Sequence, residues 1–168
     1  YREVWLEATA ESRLTDLFVY TPTLQEAVVQ WTAELTPAAA AVRIRLETAE
    51  GTLLAEQTAP AAETGKMQLS VPEAQPWDTE HPVLHHAVAE LLNAAGQPID
   101  RKQVTFGFRT AEFRADGFYL NGKKTFLRGL NRHQSYPYIG YAAPESLQRE
   151  DARILQEELH CTAVRTSH

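Results

Sequence analysis

Leu127-Arg-Gly-Leu-Asn-Arg-His133 and its echo Thr162-Ala-Val-Arg-Thr-Ser-His168 are the stretches whose reading decides the fold. Each is a short apolar run that stops in a cluster of Arg, His and small polar residues. Between them, Pro144 to about His160 carries Leu147, Ile154, Leu155 and Leu159 on one stripe, the signature of an amphipathic helix. Gln148, Arg149, Arg153, Gln156 and Glu157 are predicted to face water, with Asp151 nearer the apolar stripe. Strand, helix, strand is a βαβ unit, which implies two parallel strands joined by a crossover. His133 and His168 are then predicted just past the carboxyl ends of neighbouring parallel strands, the end at which α/β folds bind ligands.

Upstream, the pattern is of another kind. Val42, Ile44 and Leu46 alternate with Arg43, Arg45 and Glu47, a period of two. Val29, Trp31, Ala33 and Leu35 do the same, as do Met67, Leu69 and Val71. Val4, Leu6 and Ala8 predict a further strand, and Leu14 to Tyr20 one that ends at Thr21-Pro22. A strand is predicted over Thr52 to Thr58, then an Ala-rich loop from Pro60 to Gly65. Val83 to Asn93 and Gln103 to Phe108 complete the set, with a turn at 94–98. Short strands at close spacing, over about 100 residues, predict an immunoglobulin-like antiparallel β-sandwich. Further on, Asn121-Gly122 between apolar residues predicts a tight hairpin.

The expected organisation is therefore mainly β: an immunoglobulin-like sandwich at residues 1–109, followed at 110–168 by a βαβ unit of a barrel or a doubly wound sheet. One helix with one apolar stripe can cover a sheet edge but cannot close a domain, so this region is expected to be truncated and both chain ends to lie inside a longer protein.

Composition narrows the function classes. The chain has 168 residues, a net charge of −6 and 43% hydrophobic residues. This balance argues against nucleic acid or an acidic membrane as partner. The single cysteine excludes an intrachain disulfide and suits a cytoplasmic protein. Cys161 is expected to be a small buried hydrophobe. His81, His85 and His86 lack the carboxylate or cysteine partners of a metal site, and adjacent strand residues point to opposite faces. Trp5, Trp31 and Trp77 are expected in sandwich packing rather than in sugar stacking. His133 and His168, with Arg132 and Arg165, form a candidate cluster for hydroxyls and carboxylates.

Several pieces, in order, resemble glycoside hydrolase family 2. They are Tyr1-Arg-Glu-Val-Trp-Leu, Gln75-Pro-Trp-Asp-Thr-Glu-His-Pro82, Phe106-Gly-Phe-Arg109, Asp116-Gly-Phe-Tyr-Leu-Asn-Gly122 and the two strand-end clusters. Asn131-Arg-His-Gln-Ser-Tyr-Pro-Tyr138 resembles the β-galactosidase branch most, with β-glucuronidase as the alternative. The resemblance implies that residues 110–168 are the first βαβ part of a (β/α)8 TIM barrel. It also implies retaining hydrolysis of a terminal β-D-galactoside by two glutamates roughly 5 Å apart. It implies that His133 and His168 line the sugar subsite and that Arg165 steadies a catalytic carboxylate. Thr162 replaces the family's usual asparagine, and His85 its usual tyrosine.

The acid/base glutamate of the family follows an asparagine, and this sequence has no Asn-Glu pair. No catalytic residue is therefore assigned, and the chain alone is expected to be inactive. No cofactor is expected within it, while a divalent cation and homo-oligomerisation are compatible with the complete protein. The competing expectation is a standalone sandwich that binds carbohydrate or protein.

Overall fold

The computed structural model describes residues 4–166. The chain divides into two compact units: Glu7–Glu112 with Tyr119–Lys123, and the remaining residues. The first is the sandwich. Its strands are β1 (Arg13–Thr23), β2 (Glu26–Glu34), β3 (Ala41–Thr48), β4 (Leu53–Pro60), β5 (Thr64–Ser70), β6 (His85–Leu92) and β7 (Pro98–Phe106). Among the described residues they form two antiparallel sheets, in the orders β1-β2-β5 and β4-β3-β6-β7.

The period of two converts directly into a core. Val29, Trp31 and Ala33 of β2 and Met67 and Leu69 of β5 turn inward from one sheet. Val42, Ile44 and Leu46 of β3 and Ala87, Ala89 and Leu91 of β6 turn inward from the other. Val42, Ile44, Leu46, Ala87, Ala89 and Leu91 are all wholly inaccessible to solvent. Trp31 is anchored by its indole N–H donating to the Ala62 carbonyl at 3.0 Å. Its ring occupies the space beside Gly65, where any Cβ would lie 2.2 Å from the indole. Residue 65 must therefore lack a side chain for the tryptophan to be buried.

The outer face of the larger sheet holds charge. Glu90 of β6, only 6% exposed, lies opposite Arg43 of β3. Arg43 donates to one Glu90 oxygen through Nε and Nη2, at 2.9 and 2.7 Å. Arg45 approaches the other oxygen at 3.5 Å. The shielded carboxylate is thus neutralised by a guanidinium fork, the arrangement that makes its burial tolerable.

At the sandwich edge, β1 breaks register between Leu14 and Asp16. Asp100 and Lys102 of β7 take up the backbone groups at this bulge: Leu14 N–H donates to the Asp100 carboxylate at 2.6 Å, and Lys102 Nζ donates to the Thr15 carbonyl at 2.7 Å. A bulge leaves ladder groups unpaired, and here side chains of the facing sheet supply the partners.

Several expectations are corrected. Residues 4–10 form no strand. Trp5 is 74% exposed and Val4 and Leu6 almost wholly so, so the alternation there buries nothing in a sandwich. β1 does not stop at Thr21 but runs through Pro22, which is tolerated because β1 is an edge strand and its ladder breaks register between Tyr20 and Thr23, so the missing N–H costs no bond. The Pro60–Gly65 loop shrinks to residues 61–63, because Pro60 still pairs with Ala41 and β5 begins at Thr64. β7 begins at Pro98 rather than Gln103.

A meander follows, made of β8 (Ala111–Arg114), β9 (Gly117–Leu120) and β10 (Lys123–Lys124). Asn121 and Gly122 both have positive φ, 52° and 75°, as a two-residue hairpin turn requires. Asn121 also uses its amide: Oδ1 accepts from the Thr110 N–H at 3.0 Å, and Nδ2 donates to the Trp77 carbonyl at 2.9 Å. Trp77 packs on Gly107 and lies under the Arg109 guanidinium, 4.6 Å from its ring centre.

His85 is 3% exposed and packs edge-on to Phe108 at 5.0 Å, with Phe106 at 5.9 Å. Its Nδ1 has no hydrogen-bond partner among the described residues. Burial pushes its pKa below the ordinary 6.5, and His86 adds to this while Glu50 opposes it. A histidine depressed in the fold takes up its proton first in the unfolded chain, so stability holds above 6.5 and is lost as pH falls through the depressed value. Urea midpoints at pH 5 and 7.5 are expected to show this loss, and His85→Tyr to reduce the difference. Removing the Arg43 partner by Glu90→Ala is expected to cost roughly 2–3 kcal/mol in denaturant unfolding, near the low end for a shielded pair because Arg43 can turn to water.

Candidate functional site

The second unit contains β11 (Gly129–Arg132), the helix α1 (Glu145–Arg153) and β12 (Ala163–Thr166). β11 and β12 pair in parallel, with Gly129, Leu130, Asn131 and Arg132 opposite Ala163, Val164, Arg165 and Thr166. This is the βαβ unit read from the sequence. The close pairing depends on Gly129, since a Cβ there would lie 2.2 Å from the Ala163 carbonyl oxygen. Thr162 secures the entry to β12: its N–H donates to the Arg128 carbonyl at 2.7 Å, and its hydroxyl accepts from the Arg128 N–H at 3.0 Å.

The helix is shorter than the sequence predicts. Pro144 occupies the N-cap position, α1 ends at Arg153, and a π-helical turn over Ile154–Glu158 completes the crossover. Leu147, Ile154 and Leu155 are half-buried, while Leu159 is 53% exposed. The wider π turn rotates the residues beyond it, so Leu159 leaves the α-helical stripe. Cys161 is half-buried rather than buried, because it lies in the turn entering β12, its N–H donating to the Leu155 carbonyl at 2.8 Å.

On the two strands, alternate residues share a face. Asn131 and Arg165 are register partners on one face, and Arg165 Nη1 donates to Asn131 Oδ1 at 3.4 Å. His133 directly follows β11 and is exposed. His168, the other predicted sugar-contacting residue, lies outside the described residues. The structure therefore places Arg165 and His133 at the carboxyl ends of the paired strands and brings Asn131 to Arg165.

Arg132 does not join that cluster. It points to the opposite face and meets α1, with Nε donating to Asp151 Oδ2 at 2.8 Å and Nη2 to Gln148 Oε1 at 2.6 Å. Adjacent strand residues cannot share a face, which separates Arg132 from His133. Gln148 accordingly faces the strand rather than water. Tyr136 completes the group, its hydroxyl donating to the Leu147 carbonyl at 3.2 Å. The nearby Tyr136 hydroxyl, then the hydrogen bond and charge of Arg132, hold the Asp151 carboxyl below its usual range against burial. Burial works against the Arg132 charge, but the hydrogen bond and charge of Asp151 outweigh it and hold its pKa up. The Asp151 carboxylate in turn raises the Tyr136 phenol. Tyr136 and Gln148 had no assigned role in the sequence. The signal that points to them is Arg132 itself, a cation on the helix-facing side of its strand.

Among the described residues, no group of three or more His, Cys, Asp or Glu side chains is placed to hold a metal ion. His81 lies 3.4 Å from Asp78, and His86 shares a hydrogen bond with Thr105 at 3.2 Å, so the three sandwich histidines do not converge. The described strand ends carry asparagine, arginine, histidine and threonine, with no carboxylate pair. No helix among these residues is long and apolar enough to cross a membrane.

Comparison with known proteins gives this arrangement a lineage. Residues 12–109 match the model of glycosyl hydrolases family 2, and residues 111–168 match the TIM barrel domain of the same family. The β-galactosidase of Thermoanaerobacter pseudethanolicus is 36% identical over 177 aligned positions, covering 100% of this chain and 24% of that protein. The β-galactosidase of Thermoanaerobacterium thermosulfurigenes is 55% identical over 93 positions, 55% of this chain and 13% of that one. A solved structure of Bifidobacterium dentium β-glucuronidase, complexed with coumarin-3-O-glucuronide, superposes with a TM-score of 0.83 at 28% identity, covering 95% of this chain and 28% of that one. The chain thus spans less than a third of the length of each of these proteins. With both models matching in sequence order, a sandwich leading into the opening strands of a TIM barrel, the chain belongs to glycosyl hydrolases family 2.

Proposed function

We propose that this chain is part of a retaining glycoside hydrolase that cleaves terminal β-D-galactosides. It would contribute an immunoglobulin-like domain at residues 1–109 and the start of the catalytic barrel at 110–168. The observation that carries this reading is the parallel β11–β12 pair, which sets Asn131 and Arg165 on one face with His133 at the strand end. That end of a barrel is where chemistry is built.

In this reading His133 and His168 hydrogen-bond sugar hydroxyls, and Arg165, oriented by Asn131, holds a catalytic carboxylate ionised. A guanidinium beside a carboxylate favours its charged form and fixes its direction, as a nucleophile needs. Retaining hydrolysis takes two carboxylic groups, one as acid/base and one as nucleophile. The described strand ends offer neither, so the two glutamates would come from elsewhere in the complete protein. No cofactor is assigned to this chain, and the single cysteine suits action in the cytoplasm.

A β-glucuronidase of the same family is the second reading. It is favoured by the glucuronidase structural likeness and by a putative β-glucuronidase of Formosa agariphila, 32% identical over 99% of this chain. Galactose and glucuronate differ in charge at C6, so the two readings separate on substrate. The complete protein is expected to hydrolyse an aryl β-D-galactoside with a kcat/KM well above that for the aryl β-D-glucuronide. The reverse ratio would select the second reading, and turnover of neither would reject both. The 168-residue chain alone is expected to release no aryl alcohol from either substrate. In the complete protein His133→Ala is expected to lower kcat/KM about 100-fold through lost sugar binding. Arg165→Lys, which loses the planar fork, is expected to lower kcat on the order of 10²-fold with a smaller change in KM.

A further inference from the structure

Taking His133 as a sugar ligand, as proposed for the function, we propose that Arg132, Asp151 and Tyr136 are positioning residues that hold His133 in place from both sides. Arg132 precedes the histidine and Tyr136 follows it by three residues. Both are tied to α1, within one turn of each other: Arg132 to Gln148 and Asp151, Tyr136 to the Leu147 carbonyl. The segment from Arg132 to Tyr136, which contains His133, therefore begins and ends on fixed points of one helix.

The ties differ from the other ion pairs of the helix. Arg149–Glu145 has side chains 78% and 77% exposed, and such pairs constrain little. Arg132–Asp151 spans 2.7 Å with side chains only 17% and 26% exposed. The guanidinium bonds through two nitrogens, so it fixes an orientation as well as a distance. Beyond Tyr136 the chain closes on itself: Tyr136 N–H donates to the Gly140 carbonyl at 3.0 Å, and Gly140 N–H donates to the Tyr136 carbonyl at 2.9 Å. That closed loop fixes the main chain at Tyr136, while the hydroxyl bond to Leu147 ties its ring to the helix. β11 itself is four residues long. So short a strand does little to fix the residue that follows it, and a sugar-contacting group displaced by an ångström loses most of its value.

A plain helix-docking role would place the same bonds. The two roles separate in kinetics. In the complete enzyme, Asp151→Asn is expected to raise KM for an aryl β-D-galactoside and the inhibition constant of free galactose together, about tenfold, with kcat within about threefold of wild type. Asp151→Glu, which restores the charge, is expected to recover part of both. Amide hydrogen exchange over residues 129–141 is expected to quicken in Asp151→Asn. Arg149→Ala, which breaks the exposed pair, is expected to change none of these.

A lowered melting temperature with KM and the galactose constant unchanged would overturn the positioning role, as would unchanged exchange over 129–141. If Asp151→Asn does not fold, Tyr136→Phe removes one hydroxyl and carries the same test. A wild-type enzyme that turned over no glycoside would instead refute the functional reading, and exchange would still report on the tie itself.

Discussion

A β-strand offers its side chains only two faces, and successive residues must take opposite ones. That constraint assigns nearly every role in this protein. In β3 it sends Val42, Ile44 and Leu46 into the core and leaves Arg43 and Arg45 outside to meet Glu90. In β11 it sends Asn131 to the face shared with Arg165 and Arg132 to the helix. A slip of one residue would exchange core for charge in the first case. In the second it would exchange the partner of Arg165 for the partner of the helix.

Alternation alone leaves debts at the places where the ladder is interrupted, and these are met by particular side chains. The bulge in β1 is satisfied by Asp100 and Lys102 of the facing sheet. Asn121 makes its own turn and also binds Thr110 and Trp77. Gly65 and Gly129 act by omission, one making room for the Trp31 indole and the other for the Ala163 carbonyl. Each is a small feature. Each sits where a backbone group or a large ring would otherwise have no place.

The unit that holds β11 and β12 is built on different terms. Among the described residues, the parallel pair is short, and neither α1 nor the π turn after it has a fully buried residue. Much of its order rests on polar ties, chiefly Arg132 to Asp151 and Gln148, with Thr162 and Arg128 joining the strand entries. Apolar residues such as Leu130, Val164 and Phe126 stay largely exposed. A site assembled this way owes its geometry to directional bonds more than to packing, which makes individual polar residues unusually consequential for it.

The sequence by itself determined the strands of the sandwich, the βαβ unit, the hairpin turn and the placing of Arg165 and His133 at strand ends. Those features follow from local rules: period two, period 3.6, and the positive φ that Asn-Gly accepts. It misjudged residues 4–10, where alternation found no core, and Pro22, whose acceptability depends on β1 lying at an edge. Only the tertiary structure decided which neighbours a polar side chain meets. Arg132 and His133 look equivalent in the chain, yet one is bound to Asp151 and the other is exposed at the strand end, because the helix covers a single face. The same holds for Glu90 and His85, ordinary residues in sequence that burial turns into a paired charge and an unpaired ring nitrogen. Local pattern fixes which face a residue takes, and long-range packing decides what waits there.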